Sequence, residues 1–137
     1  MCIRDRGETY ALMYDRYTGD PVSADNVVVL FAPHQEFLNS SDTEIVQIDM
    51  TGFGTAYVFR GGRAYSAMWV RSAVDKPLVL LRAEGDPTAF PLKPGRTFFQ
   101  IINTGSEFTQ DGGIWRFIFN PPAPLDEEDA SADDEDN

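Results

Sequence analysis

The sequence predicts an all-β fold: a single domain of about eight short, mainly antiparallel strands, arranged as a sandwich or a partly open barrel. Three observations lead there. Apolar residues occur in short β-branched and aromatic runs bounded by Gly, Pro, Asp or Asn. No stretch carries the 3.6-residue period of an amphipathic helix. A Gly-Gly pair, Gly61 Gly62, sits between two strand-like runs, as a tight hairpin requires.

Taken in order, residues 9–14 form a first short strand, and residues 15–21, with Thr18 Gly19 Asp20 Pro21, form a turn. Residues 26–32 (Asn26 Val27 Val28 Val29 Leu30 Phe31 Ala32) are a continuous β-branched and aromatic run. That composition suits a strand buried on both faces, the expected centre of the sheet. Pro33 ends it, and a polar loop is expected over 34–42. Residues 44–49 alternate apolar and polar as a half-exposed strand does.

The clearest local signal is the hairpin of 55–60 and 63–71 around Gly61 Gly62, because a type I′ turn needs positive φ at both central residues. Residues 78–82 and 90–92 flank the turn Glu84 Gly85 Asp86 Pro87, and Pro94 Gly95 leads into a strand over 97–102. The last strand is 114–119, which places Trp115, Phe117 and Phe119 on one face at period two.

Both ends differ from this pattern. Met1 Cys2 Ile3 Arg4 Asp5 Arg6 follows neither a helix nor a strand pattern and coincides with the in-frame translation of a transposon-end adapter used in sequencing libraries. Residues 1–7 are therefore expected to be an assembly artefact, with the true N-terminus upstream. Cys2 is the only cysteine, so the native part would have none, which excludes disulfide, zinc-cluster and cysteine-nucleophile chemistry. At the other end, residues 120–137 carry eight acids and no base. A segment with so little to bury is expected to stay disordered, as a solvated terminus or an acidic interaction tail.

Removing those eight acids from the chain's 22 leaves 14 against 11 basic residues over residues 1–119, so the folded body, the β domain of residues 8–119, is only mildly negative. With no Lys/Arg cluster, nucleic acid is not an expected partner. No apolar run approaches the roughly 18 residues of a membrane-spanning helix.

Few residues point to chemistry. His34 is the only histidine, at a strand end where sites are often built. With Asp49 it forms the one acid–base pair that can be named; the alternative is a structural role in the loop. Asp49 Met50 Thr51 Gly52 Phe53 Gly54 is faintly like a phosphate loop, but it leads into a strand rather than a helix N-terminus, so a backbone bend is expected. Asp15, Asp20 and Asp25 recur every five residues yet lack the ligand order of a calcium loop, so they are assigned to turns. No metal site and no cofactor are expected. Tyr65, Trp69 and Arg71 share a face of the second hairpin strand, where an aromatic and cationic stripe either borders a groove for an acyl or sugar ligand or forms cross-strand packing.

Over about residues 10–102 the chain resembles the C-terminal domain of the YerB-like bacterial lipoproteins, a domain of unknown function. The matching residues are Thr18 Gly19 Asp20 Pro21, Ala24 Asp25 Asn26 Val27 Val28 Val29 and Pro33 His34. They continue through Gly52 Phe53 Gly54 Thr55 Ala56 Tyr57 Val58 Phe59 Arg60 Gly61 Gly62, Trp69, and Pro91 Leu92 Lys93 Pro94 Gly95 Arg96 Thr97 Phe98 Phe99. Val70 and Arg71 follow Trp69 where the family often carries basic residues directly. The resemblance implies a two-domain extracytoplasmic protein, lipid-anchored near its N-terminus, of which this is the second domain. It brings no established catalytic residues. The implied function is an extracytoplasmic binding or interaction domain, with the missing N-terminal domain and an unknown protein or envelope ligand as partners. The alternative is an enzyme acting on cell-envelope material through His34 and Asp49.

Overall fold

The computed structural model describes residues 2–4, 10–38, 44–83 and 85–123. Among these there are twelve strands and no helix: β1 (Cys2–Arg4), β2 (Tyr10–Leu12), β3 (Asn26–Ala32), β4 (His34–Leu38), β5 (Glu44–Ile48), β6 (Gly52–Arg60), β7 (Arg63–Arg71), β8 (Val79–Ala83), β9 (Asp86–Ala89), β10 (Thr97–Asn103), β11 (Glu107–Asp111) and β12 (Ile114–Ile118). Six of them form one sheet in the order β10-β3-β6-β7-β8-β9, and the others pair as β1-β2, β4-β5 and β11-β12. The sheet is open and mixed: β10 runs parallel to β3, and every other pairing is antiparallel.

β3 is buried on both faces, as its unbroken apolar run requires, and lies inside the sheet between β10 and β6. Val28, Leu30 and Ala32 pack with Ala56, Val58, Ala67, Trp69 and Leu80 on one face, under Met50, Leu78, Phe90 and Leu92. On the other face Val29, Phe31 and Ile102 pack with Tyr57, Phe59 and Phe117. The β11–β12 hairpin covers this second face. Its Phe108, Trp115 and Phe117 meet Phe31, Tyr57 and Phe59 in one cluster, with ring centroids 4.9–6.4 Å apart. Tilted and edge-on arrangements in this range are favourable for aromatic quadrupoles.

The β6–β7 hairpin has the predicted register, Arg60 opposite Arg63 across Gly61 (φ 55°) and Gly62 (φ 72°). The turn over 15–21 also forms. Asp15 N–H donates to the Asp20 carbonyl, and the Asp15 carboxylate accepts the Tyr17 and Thr18 N–H groups at 2.7 and 3.0 Å.

Several local expectations are corrected. Residues 34–38 are strand rather than loop. Pro33 only detaches the chain from the main sheet, and β4 then pairs with β5 as a two-stranded ribbon. The strand expected at 90–92 sits earlier, at β9. Pro87 is tolerated there because β9 is an edge strand, where a missing N–H breaks no ladder bond. Phe90 and Leu92 cap the core instead, and Phe90 N–H donates to the Leu80 carbonyl. β11 is exposed throughout, and its polar sequence hid it.

β12 stops at Ile118, so only Trp115 and Phe117 join the aromatic cluster, while Phe119 stacks edge-on against His34. The first residues do contain a strand, β1, paired with β2. The acidic stretch from residue 126 lies outside the described residues.

The Asp25–Asn26 pair acts at long range rather than within its own turn. Asp25 Oδ2 accepts Arg96 N–H at 2.8 Å. The fully buried Asn26 amide donates to the Lys93 carbonyl and accepts Lys93 N–H, both at 2.8 Å. This two-point amide clamp holds the 93–96 segment against the start of β3 and sets β10 in its parallel register. Two stretches far apart in sequence are joined there by hydrogen bonds.

Candidate ligand-binding cleft

The residues singled out from the sequence divide into three places. His34 and Asp49 stand near each other on the β4–β5 ribbon: His34 is opposite Ile48, and Asp49 N–H donates to the Pro33 carbonyl at 2.9 Å. Their side chains have separate commitments. His34 is buried, with Nδ1 2.9 Å from the Ala32 carbonyl. A carbonyl only accepts, so Nδ1 carries the proton. The exposed Asp49 carboxylate accepts Thr51 N–H at 2.9 Å and closes a local bend. Neither residue lines either of the two cavities described below.

Trp69 is a core residue. It is 0% exposed, and its Nε1 donates to the Phe31 carbonyl at 2.8 Å. Gly54 makes the approach possible, since a Cβ there would lie 2.5 Å from Trp69 Nε1 and 2.6 Å from the Phe31 oxygen. Gly54 is thus inside β6 as a packing gap, and the predicted bend is confined to Asp49–Gly52. The Trp69 ring packs in the core with Val28, Leu30, Ala56, Val58 and Leu80 and lines neither of the cavities described below. Arg71 closes the next loop: its Nε donates to the Lys76 carbonyl at 2.9 Å and its Nη2 to the Val74 carbonyl. Among the described residues no group of three His, Cys, Asp or Glu is placed to hold a metal ion.

Tyr65 alone of that stripe reaches a cavity. A cleft of about 760 Å³ surrounds the tip of the β6–β7 hairpin, within the roughly 300–1,000 Å³ usual for small-molecule sites. Phe59, Arg60, Gly61, Gly62, Arg63, Ala64 and Tyr65 line it from the hairpin, and Ala24 and Asp25 from the entry to β3. Gln110, Gly112, Gly113 and Trp115 line it from the tip of the β11–β12 hairpin.

Two features give the cleft a chemical character. Arg60 and Arg63 face each other on the last rung of the hairpin, and like charges directly opposite one another are unfavourable. Arg60 is held in place: its guanidinium lies over the rings of Tyr65 and Phe90, at 5.3 and 5.0 Å from their centroids, and donates to the Pro91 carbonyl. Arg63 is exposed, and the two guanidiniums of the lining outnumber its one carboxylate, Asp25, whose Oδ2 accepts the backbone N–H of Arg96, so the local field favours an anion.

The second feature is aromatic surface. Trp115 is half-buried, stacked on Phe108 at 5.6 Å and 15° and packed edge-on against Phe59 at 5.5 Å. No histidine, cysteine, serine or threonine lines the cleft, whose titratable side chains are Asp25, Arg60, Arg63 and Tyr65.

A second cavity, of about 410 Å³, opens at the other end of the aromatic layer between Phe31, Gly54, Thr55, Tyr57, Thr104, Ser106 and Phe108. It carries hydroxyl groups but no charge.

Sequence reasoning missed Trp115, Gln110 and the 112–113 tip as site residues. The available signal was a second Gly-Gly pair, Gly112 Gly113, which marks a second tight hairpin just as Gly61 Gly62 marks the first.

A family model described as "Protein of unknown function (DUF3048) C-terminal domain" matches residues 5–99. The crystal structure of YerB protein from Bacillus subtilis is similar, with 26% sequence identity and a TM-score of 0.51. That similarity covers 64% of this chain and 28% of the YerB chain. No curated protein matches. The family match takes in the β6–β7 wall of the cleft and ends before the β11–β12 wall.

Proposed function

The chain belongs to the family of C-terminal domains of a protein of unknown function, YerB-like in structure, and from that premise we propose that it is a non-catalytic binding domain. In this reading it belongs to a longer, lipid-anchored extracytoplasmic protein. The resemblance to YerB-like lipoproteins supports the location. The ligand is an anionic molecule carrying a flat or apolar face, such as an acidic glycan fragment of the cell envelope. It rests on Tyr65 and Trp115 while its charge meets Arg63.

The observation that carries the reading is the pair of opposed arginines beside two aromatic rings in one cleft. A pre-held guanidinium beside a free one suits an anion, because only Arg63 must be ordered on binding. The separate hydrogen bonding of His34 and Asp49 gives the enzymatic alternative less support.

The test is calorimetric titration of the chain with purified acidic and neutral cell-wall glycan fragments. Binding of the acidic fragments, weakened at least tenfold in Arg63→Glu with unchanged thermal stability, is expected. Equal affinity in Arg63→Glu, or binding that ignores ligand charge, contradicts it.

A further inference from the structure

The two edges of the main sheet are treated very differently. β9 is four residues long and carries Asp86 and Pro87, two of the devices by which proteins blunt an edge against pairing. β10, at the opposite edge, has seven residues, Thr97 to Asn103, with no charge and no proline. Phe99 is 45% exposed on it, and Gln100 is exposed.

The hydrogen bonds to β3 fix which backbone groups of β10 face outward. Asn26 N–H donates to the Arg96 carbonyl, and Thr104 N–H donates to the Ala32 carbonyl. Backbone groups alternate sides along a strand, so those of 98, 100 and 102 face β3 and those of Thr97, Phe99, Ile101 and Asn103 face away. Among the described residues only the Asn103 carbonyl of this outward set has a backbone partner, Ser106 N–H at 2.9 Å.

The side-chain order supplies the second half of the inference. Thr-Phe-Phe-Gln-Ile-Ile-Asn reads polar, apolar, apolar, polar, apolar, apolar, polar, and is therefore symmetric about Gln100. We propose that β10 is a docking edge for a second copy of this chain, which pairs antiparallel about Gln100 and continues the sheet through a two-fold axis. In this register Phe99 faces Ile101 and Phe98 faces Ile102, and no two charges meet. Phe99 and Ile101, whose free backbone groups point outward, fall opposite each other as hydrogen-bonded pairs. A register shifted by one residue opposes outward groups to inward ones and makes no ladder. The contact is isologous, so it closes at two copies and leaves only the short, blunted β9 strands as edges of the continued sheet.

Gln100 would lie opposite its own copy in a non-hydrogen-bonded pair, with Cα atoms about 4.5 Å apart. That falls in the roughly 4.4–6.8 Å range that a disulfide spans. In full chain carrying Cys2→Ser, Gln100→Cys is expected to oxidise to a covalent dimer, whereas Thr97→Cys, which faces Asn103 of the other copy, is not. Sedimentation velocity on the unmodified chain should show a monomer–dimer equilibrium that Gln100→Lys weakens at least tenfold. Circular dichroism checks that this variant folds, and Gln100→Glu serves in its place if it does not. A chain that stays monomeric at every concentration overturns the proposal. So does a dimer that neither charge variant weakens, or one in which Thr97→Cys cross-links as readily as Gln100→Cys. Protection of β10 that appears only when another segment of a longer protein is supplied also overturns it, in favour of a different occupant.

Discussion

The missing side chain of Gly54 decides how closely Trp69 can approach the Phe31 carbonyl. An added methyl group there meets the indole nitrogen and a backbone oxygen, and neither belongs to a flexible side-chain end. Gly54→Ala is expected to cost about 2–3 kcal/mol through overpacking and the strained or lost indole bond, measured by urea denaturation. A loss below about 0.5 kcal/mol, the usual scale of a surface change, would mean that the core adjusts without penalty.

Asp15 works at the surface by local bonds. The Thr18 N–H, then the Tyr17 N–H, hold its carboxyl below the ordinary aspartate value. A depressed folded-state value means that the carboxylate contributes stability above the unfolded value and loses it as pH falls through the folded one. The Tyr17 and Thr18 amide resonances should therefore titrate with a midpoint below that of an unstructured aspartate. A midpoint at or above that value contradicts the turn geometry. These residue-level facts were only partly legible: Asp15 read correctly as a turn former because its partners are two and three residues away. Trp69 and Gly54 could not be paired from the sequence, because the indole crosses to another strand to find its acceptor.

At the scale of elements, legibility followed hydrophobicity and glycine. The apolar run of β3 and the Gly61–Gly62 hairpin declared themselves, since one needs burial on both faces and the other needs two positive φ values. β4 and β11 did not, because three residues of β4 are polar and β11 is exposed throughout, so pairing rather than an apolar pattern defines them. The β11–β12 hairpin has a larger role than its polar strand suggests. Through Phe117 it touches Phe31, Tyr57 and Phe59, and so seals one face of the sheet. Phe117→Ala should cost about 3 kcal/mol and should loosen this hairpin before the rest of the sheet. Hydrogen exchange checks the order: β11 and β12 amides should lose protection while those of β3 and β6 keep theirs. Uniform loss of protection would show that the hairpin and the sheet unfold as one unit.

For the molecule as a whole, the layered arrangement brings two hairpin tips, one on each side of the aromatic layer, to the same end of the domain. The cleft exists because Gly61–Gly62 and Gly112–Gly113 end there, and the Asp25–Asn26 clamp fixes its floor. The proposed binding role rests on one end of the stripe that the sequence picks out on the second hairpin strand. Alternation correctly put Tyr65, Trp69 and Arg71 on one face. It could not show that the sheet buries Trp69 and directs Arg71 into the 72–76 loop, leaving only the Tyr65 end open. Depth along a strand is set by what packs over it, and the covering residues come from elsewhere in the chain.

The most direct measurement is a ¹⁵N-resolved titration of the chain with acidic cell-wall glycan fragments. A binding cleft between the two tips predicts that the largest shifts fall on the amides of Gly61, Gly62, Gly112 and Gly113 and on the Trp115 indole. Shifts centred on His34 and Asp49, or none at saturating ligand, would contradict it.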